Sequence, residues 1–219
     1  MAFLKGLLQE TSLRVGWPTM PVFRVQQCLR YKSSECSKHG KLSLELDGYT
    51  LRKAVKQDCQ AIHSLIQELA NCLKMPDAPQ IDAKALEVDG FGGRSFYEGF
   101  VAESHKLNQV VGYAVYYFTY STWQGKSLYM EDMYIRPEDR KNRIAVSFFH
   151  LVSQAALIEN CKRLNFCVLE NNKPAAKLFQ SLGAVDLTLK EGWHYYRIPR
   201  LGIEELAKPS IISTFNSQI

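Results

Sequence analysis

The sequence predicts an α/β fold in which a mixed, mostly antiparallel sheet carries helices on both faces. Segments rich in β-branched and aromatic residues, such as Val110–Thr119, alternate with segments of helical periodicity, such as Lys56–Cys72. A strand, a long helix and a second strand follow one another over residues 127–169. Because a helical crossover connects parallel strands, we expect one parallel pair within the sheet and helices on both of its faces.

The first part of the predicted domain combines one strand with two helices. Tyr49–Lys53 is expected to form a short strand, and Lys56–Cys72 a helix whose apolar residues recur at three- and four-residue spacing. Asp58 is positioned to cap the start of this helix. Asp82–Val88 predicts a second, short helix, and the glycine-rich segment Asp89–Gly93 predicts a turn.

Three strands and a long helix form the centre of the predicted domain. The strands are expected at Phe100–Glu103, Val110–Thr119 and Ser127–Ile135, since these segments are rich in aromatic and β-branched residues. The helix is expected over about residues 142–161, because its apolar positions suit a buried face.

The last part of the predicted domain returns to the sheet. Leu164–Leu169 predicts a strand, and Lys173–Leu182 a helix that Gly183 stops. Val185–Leu189 and Trp193–Ile198 predict a closing antiparallel hairpin.

A basic extension is expected to precede this domain. The 219-residue chain has a net charge of +5, and residues 1–44 hold seven Lys or Arg against two acids, so the remaining residues are neutral in sum. We expect residues 1–44 to be a mitochondrial transit peptide or a disordered tail. Residues 45–206 then form the domain and residues 207–219 a C-terminal tail. The expected location is cytoplasmic, with a mitochondrial location as the alternative.

Composition excludes several classes of function. A neutral domain lacks the basic face of nucleic-acid-binding domains, so no nucleic-acid partner is expected. The chain has no run of about 18 apolar residues, so no membrane partner is expected. Its six cysteines form no C-x-x-C pair and no zinc-finger spacing with histidine, so we expect buried thiols and no metal site.

The most informative segment lies between the strand ending at Ile135 and the long helix. It reads Arg140-Lys141-Asn142-Arg143-Ile144-Ala145. A helix N-terminus presents free backbone N–H groups and the positive end of a dipole, so this segment suits a pyrophosphate. A solvated basic turn is the alternative.

Several segments together resemble the diamine acetyltransferase family of the GNAT superfamily, which includes spermidine/spermine and thialysine N-acetyltransferases. The matching segments are EVDGFGGRSF (87–96), YYFTYSTWQGK (116–126), LYMED (128–132), NKP (172–174), Gly183-Ala184 and EGW (191–193). Residues 140–145 correspond to the family's phosphate loop, [Arg/Gln]-x-x-Gly-x-[Gly/Ala]. The resemblance implies a GNAT fold with a splayed parallel pair, acetyl-CoA as co-substrate and a small amine as acceptor.

The resemblance also implies which residues contact CoA. Three residues at the end of one strand would pair through their backbone with the pantetheine arm, as an added strand would. The phosphate loop and the start of a later helix would hold the rest of the molecule. The full set is Met133, Tyr134, Ile135, Arg140, Lys141, Asn142, Arg143, Ile144, Ala145, Val146, Asn172, Lys173, Pro174 and Ala175.

For the catalytic step the resemblance implies Glu131 as general base, which accepts the proton of the attacking amine directly or through water. Since neighbours on a strand point to opposite faces, we expect only one of Glu131 and Asp132 to face the site. The expected substrate residues are Trp123, Glu131, Asp132, Glu191 and Trp193.

Three departures from the family pattern bear on activity. Arg143 replaces the phosphate-loop glycine, and it either obstructs the phosphate or contacts it in compensation. Phe179 occupies the position of the tyrosine that protonates the leaving thiolate, so that hydroxyl is lost. Ser121 and Cys72–Lys74 stand where the family has acids, so the pocket is expected to be less anionic than a polyamine site.

The sequence therefore predicts an acetyl-CoA-dependent N-acetyltransferase of the diamine type, acting on a diamine, polyamine or lysine analogue. A catalytically weak or inactive relative that binds CoA, an amine or a protein partner is the alternative. The simultaneous loss of the glycine and the tyrosine favours that alternative. The resemblance also implies a homodimer.

Overall fold

The computed structural model describes residues 42–209 of the chain. These residues divide between two compact units, with the boundary in sequence between Phe166 and Cys167. Residues 1–41 and 210–219 lie outside the described residues, and with them most of the expected extension and tail.

The first unit is built on a six-stranded sheet whose strands are arranged in chain order. They are β1 (Ser43–Leu46), β2 (Tyr49–Lys53), β3 (Glu98–Ser104), β4 (Gln109–Ser121), β5 (Gly125–Ile135) and β6 (Leu164–Asn165). Each neighbouring pair is antiparallel except β5 and β6, which are parallel. The predicted fold class, a mixed and mostly antiparallel sheet with one parallel pair, is confirmed.

Strand β1 was not predicted. It begins at Ser43, ahead of the expected domain start at residue 45, and Leu44 pairs with Leu51 of β2. A tight turn through Gly48, with φ of 79°, joins the two strands. Glycine adopts this left-handed conformation without steric cost, so Asp47-Gly48 was a usable hairpin signal.

Helix α1 (Cys59–Cys72) follows a short 3-10 helix at Lys56–Asp58. The Asp58 side chain does not cap α1 itself, but it is the acceptor of a capping box at the start of the 3-10 helix, so the predicted cap lies one turn earlier. The Asp58 carboxylate accepts from the Arg52 guanidinium, at 2.7 and 2.9 Å, and from the Val55 backbone at 2.8 Å. Asp58 therefore anchors the start of α1 to β2.

Helix α2 (Ala83–Phe91) is longer than predicted and includes part of the expected turn. Asp82 caps its start by accepting from the Ala85 backbone N–H at 2.7 Å. Gly90 lies against Tyr97, and a Cβ on Gly90 would come within 2.5 Å of that ring. The glycine therefore serves close packing inside the helix rather than a turn.

Helices α1 and α2 cover one face of the sheet. Ile62, Leu65 and Leu86 supply the helical side of a buried cluster. Val101 and Tyr113 supply part of the strand side. Burying one such side chain contributes about 1.5–3 kcal/mol, so this cluster fixes the central strands against the helices.

Helix α3 (Ile144–Ile158) covers the opposite face and contacts β1, β2, β3 and β5. Phe148, Leu151 and Val152 are buried on it. The sheet residues Phe100 and Ala114 are also fully buried, and strand alternation directs them to this second face. Helices thus lie on both faces of the sheet, as predicted.

Strand β6 is shorter than predicted. It pairs with β5 at Leu128 and Tyr129 and then ends, so the prediction of a strand through Leu169 is wrong. Strand β5 continues to Ile135 with β4 on one side. Among residues 42–166, no strand pairs with the other edge of β5 from Met130 onwards.

The second unit contains α4 (Lys173–Ser181), α5 (Leu187–Glu191) and α6 (Arg200–Leu206). Helix α4 confirms the predicted helix, and Gly183 follows its end with φ of 90°. The predicted hairpin is wrong, because Asp186 caps a helical turn by accepting from the Leu189 N–H at 3.1 Å. Residues 192–199 form no regular element. Local capping thus overrides the strand-like composition.

Candidate functional site

A β-bulge interrupts the pairing of β4 with β5 at Glu131. Tyr116 lies opposite Met130, and the adjacent Val115 lies opposite Asp132, so Glu131 has no partner on β4. A bulge inserts one extra residue into one strand, bends that strand and redirects its side chains. This one lies just beyond the point where β6 leaves β5. Glu131 is therefore placed where the sheet opens.

The bulge puts both acidic side chains on the same face of the sheet. The Tyr117 hydroxyl donates to Glu131 Oε2 at 3.3 Å, and the Tyr113 hydroxyl donates to Asp132 Oδ2 at 2.5 Å. Tyr113 and Tyr117 are four residues apart on β4 and so point to one face. The expectation that only one acid can face the site is wrong, because the inserted residue resets the alternation.

The two acids have different surroundings. Burial raises the pKa of the Asp132 carboxyl and the charge of Glu131 adds to this, although hydrogen bonds from Tyr113 and the Met133 backbone lower it. Burial also raises the pKa of the Tyr113 phenol far above its usual range, so this hydroxyl stays a donor. Glu131 is exposed. Asp132 is thus fixed and partly shielded, and Glu131 is the carboxylate open to a solute.

The three residues expected to pair with a pantetheine arm, Met133, Tyr134 and Ile135, lie on the open edge of β5. Arg140 Nε donates to the Ile135 carbonyl at 3.0 Å. The Arg140 guanidinium lies 5.8 Å from the centre of the Tyr134 ring. Arg140 therefore ties the following loop to the end of β5.

The loop between β5 and α3 contains two left-handed residues. Lys141 has φ of 69° and Arg143 has φ of 63°. Residues other than glycine adopt this conformation at a cost of about 1–2 kcal/mol. Arg143 occupies the N-cap of α3 without a side-chain cap, so the first N–H groups of the helix remain available to an anion. Ile144 is buried, Ala145 half-buried and Val146 exposed on the first turn.

The loop also concentrates positive charge. Arg140, Lys141 and Arg143 are all exposed. None of them forms an ion pair with a carboxylate in the part of the chain that the structure describes. Such a set of cations at a helix N-terminus favours a phosphate-bearing ligand.

A chain of hydrogen bonds holds this loop against β2. Asn142 Nδ2 donates to the Tyr49 hydroxyl at 2.8 Å, and Tyr49 donates to Asp139 Oδ1 at 2.8 Å. Asp139 is 5% exposed, and its other oxygen has no partner among residues 42–209. Burial, and next the hydrogen bond to Asp139, raises the pKa of Tyr49. Tyr49 therefore remains a protonated donor that fixes the loop.

We expect Tyr49→Phe to lower the free energy of unfolding by about 1–3 kcal/mol. The change removes the hydroxyl that donates to Asp139 and leaves a buried carboxylate unsatisfied. Urea denaturation followed by circular dichroism measures the loss. Tyr120→Phe is the matched control, because Tyr120 is 75% exposed and its loss of a hydroxyl should be neutral. Equal stability of the two variants would contradict the role given to Tyr49.

The structure places Trp123 at the tip of the β4–β5 hairpin. Ser121 Oγ accepts from the backbone N–H groups of Trp123 at 3.3 Å and Gln124 at 3.2 Å, which builds the turn. The Trp123 side chain is 85% exposed. Strand β5 rises roughly 20 Å between its start at Gly125 and Glu131. Within one chain, the structure does not bring Trp123 and Glu131 together.

The remaining predicted site residues lie in the second unit. Asn172, Lys173, Pro174 and Ala175 form the start of α4, where the Asn172 side chain accepts from the Ala175 N–H at 3.3 Å. Phe179 is buried later in the same helix. Trp193 Nε1 donates to Glu191 Oε2 at 2.9 Å, so the structure brings these two predicted substrate residues into contact.

The sequence profile of the Acetyltransferase (GNAT) family matches residues 61–184. This chain belongs to the acetyltransferase (GNAT) family. Thialysine N-epsilon-acetyltransferase from Bos taurus is 42% identical over 163 residues, which cover 72% of this chain and 96% of that protein. The protein of the same name from Sus scrofa is 40% identical over the same shares. Spermidine/spermine N(1)-acetyltransferase-like protein 1 from Homo sapiens is 35% identical over 77% of this chain and 25% of that protein. These relatives confirm the predicted diamine acetyltransferase family and the predicted enzyme class, an amine N-acetyltransferase.

Solved structures confirm the GNAT fold. An integron cassette protein from the mobile metagenome of V. cholerae matches with a TM-score of 0.61 at 22% identity, covering 74% of this chain and 98% of that chain. Ribosomal-protein-alanine N-acetyltransferase from Brucella melitensis biovar Abortus 2308 matches with a TM-score of 0.55 at 16% identity, covering 69% and 98%. At these identities the likeness concerns the fold alone.

Four residues that contact the candidate site were missed in the sequence: Tyr49, Tyr113, Tyr117 and Asp139. Pairing the predicted strands Val110–Thr119 and Ser127–Ile135 as an antiparallel hairpin would have placed Tyr117 near Glu131. Tyr49 and Asp139 are 90 positions apart, and no local pattern links them.

Two further findings on residues 42–209 concern membrane-spanning helices and groups of metal-binding side chains. No helix there combines the length and apolar character needed to cross a membrane. The same residues contain no group of three or more His, Cys, Asp and Glu side chains suited to a metal ion.

Proposed function

We propose that this protein transfers the acetyl group of acetyl-CoA to the primary amine of a small acceptor of the lysine-analogue type. The observation that carries the proposal is the bulge at Glu131, which holds an exposed carboxylate where the sheet opens. An aliphatic amine is cationic at neutral pH and must lose a proton before it attacks a thioester. A carboxylate in this position attracts the cation and accepts its proton, directly or through water.

The neighbouring groups support this role for Glu131. Tyr117 donates to its carboxylate and so restricts the rotamers it can adopt. Asp132 lies on the same face and is held by Tyr113. An ionised Asp132 adds a second negative charge near the amine, and burial raises the pKa of that carboxyl. The pair thus favours a cationic acceptor.

The residues present fit the CoA part of the co-substrate. The loop before α3 combines the exposed cations Arg140, Lys141 and Arg143 with uncapped backbone N–H groups, and successive N–H groups around left-handed residues form a concave anion site. The open edge of β5 suits an extended arm that carries amide groups. Acetyl-CoA supplies the activated thioester, and these residues bind and orient it.

The acceptor is expected to carry fewer positive charges than a polyamine. Ser121 and the segment Cys72–Lys74 stand where the resemblance implies acids, and Ser121 Oγ is used in the hairpin turn. Relatives named as thialysine N-epsilon-acetyltransferases, at about 40% identity, support an acceptor of that size and charge. The proposal includes the homodimer that the resemblance implies.

The test is a thiol-release assay of the full chain with acetyl-CoA and an amine panel. The panel contains thialysine, lysine, 1,3-diaminopropane, spermidine and spermine, and mass spectrometry identifies the acetylated products. We expect the highest kcat/KM with thialysine or lysine and the lowest with spermine. Calorimetric binding of acetyl-CoA without turnover would instead support a CoA-binding relative without activity, which Phe179 favours. Absence of both binding and turnover would contradict the proposal.

A further inference from the structure

The departing sulfur of CoA needs a proton. When the amine attacks the thioester carbonyl, the C–S bond breaks and a thiolate leaves. Phe179, at the position where the resemblance implies a hydroxyl, has no proton to give. General acid help to a leaving group contributes roughly 10²–10⁴-fold in rate, so a different donor would matter.

Strand β4 contains four tyrosines, and one of them has both the right face and the right exposure. Tyr113 and Tyr116 are fully buried, and their hydroxyls donate to Asp132 and Glu98. Tyr120 is 75% exposed and lies on the face of Tyr116, opposite to Glu131. Tyr117 is half-buried on the face of Glu131.

The position of Tyr117 along the sheet is also suitable. It pairs with Tyr129, and the two rings stack with centroids 5.4 Å apart at an interplanar angle of 29°. Tyr129 is the last β5 residue paired with β6, so Tyr117 stands level with the opening of the sheet. Stacking restrains the phenol ring, and its hydroxyl lies 3.3 Å from Glu131 Oε2.

We infer that Tyr117 is the general acid of this reaction and that Glu131 returns its proton, an inference that rests on the proposed function. The acceptor reaches this step as the neutral amine, after its first proton has passed through Glu131 to solvent and left Glu131 ionised. The amine nitrogen then forms a bond to the carbonyl carbon and passes its second proton to Glu131. The Tyr117 O–H gives its proton to the CoA sulfur as the C–S bond breaks. Protonated Glu131 then donates to the Tyr117 oxygen. The products are the acetylated amine and CoA thiol, with Tyr117 and Glu131 in their starting states.

The hydrogen bond between Tyr117 and Glu131 makes this transfer possible. In the resting state the phenol donates and the carboxylate accepts. Once Glu131 holds the amine proton, the same two oxygens can bond in the reverse direction, which frees the phenol proton for sulfur. A carboxylic acid is a stronger acid than an alkyl thiol by about four pKa units, so the net transfer is downhill.

The experiment compares two acetyl donors in wild type, Tyr117→Phe and Tyr120→Phe. One donor is acetyl-CoA, and the other is S-(4-nitrophenyl) thioacetate, whose aromatic thiolate leaves without needing a proton. With acetyl-CoA we expect Tyr117→Phe to lower kcat about 100-fold and Tyr120→Phe to leave it unchanged. With the nitrophenyl donor, the rate above the protein-free background should be nearly the same for Tyr117→Phe as for wild type, which also shows that the variant is folded.

Each other outcome overturns the inference. An equal loss with both donors would mean that Tyr117 only positions Glu131. Unchanged kcat with acetyl-CoA would mean that the proton comes from another group. A wild-type protein that acetylates no amine would contradict the proposed function itself. This outcome is distinguishable from an unchanged kcat of Tyr117→Phe, because wild type then shows no activity.

Discussion

Glu131→Gln is expected to lower kcat for acetyl transfer by about 10²–10⁴-fold at neutral pH. The amide has nearly the same shape, and its carbonyl oxygen can still accept from the Tyr117 hydroxyl, but it cannot take a proton from the amine. Because Glu131 is exposed, the free energy of unfolding should change by no more than about 0.5 kcal/mol. Thiol release measured from pH 7 to 10 should show partial recovery at high pH, where more of the amine is already neutral.

Glu138→Gln is the matched control for this variant. Glu138 is exposed and lies in the short 3-10 helix between β5 and α3. The substitution therefore removes one negative charge close to the end of β5 and leaves the bulge at Glu131 unchanged. Its kcat should equal that of wild type. If Glu131→Gln kept kcat within threefold of wild type, the base would have to be another group, and Asp132→Asn would be the next variant.

Arg143→Gly is expected to weaken CoA binding by about tenfold. The backbone at Arg143 already has a glycine-like φ of 63°, and the side chain is exposed, so the arginine does not alter or fill the loop. What glycine removes is therefore a guanidinium that can form a charge-assisted bond to phosphate, worth about 1.5 kcal/mol or a factor of ten. Isothermal titration with CoA at low and high salt measures the loss, which should shrink as salt rises.

Lys106→Ala is the matched control, because it removes one positive charge from the protein without changing the loop that contains Arg143. Lys106 is exposed in the turn between β3 and β4, so its loss should leave the CoA affinity unchanged. Stability offers a second readout, because glycine relieves the backbone strain of a left-handed arginine and should not destabilise the fold. Tighter CoA binding by Arg143→Gly would show that arginine obstructs the phosphate.

The sequence predicted the layers of the fold because its strong patterns are local. The alternation of Val110–Thr119 and the helical spacing of Lys56–Cys72 both reflect a buried face, and both elements formed. The hairpin expected from Val185–Leu189 failed because Asp186 and Gly192 cap a helical turn there. The β-branched and aromatic composition predicts a strand, but it does not predict that the Asp186 side chain will hydrogen-bond to the Leu189 backbone and stabilise a helical turn instead.

The candidate site was predictable in residue type and less so in geometry. Glu131 and Asp132 were identified together, but the bulge that places both on one face depends on register between two strands. Register is a long-range property, and a single inserted residue changes every orientation after it. Likewise the hydrogen bond between Tyr49 and Asp139 joins residues 90 positions apart, a separation that no local sequence window spans.

The pairing around Glu131 shows how the sheet accommodates a carboxylate at the point where it opens. If Glu131 were omitted, Tyr116–Met130 and Val115–Asp132 would be consecutive pairs of a regular hairpin, and every flanking side chain would keep its present face. Glu131 is therefore one extra residue on β5, and the residues on either side of it already form regular pairs with β4. The proposed base and the residues that bury the core are therefore separate, so a substitution at position 131 does not require the sheet to repack.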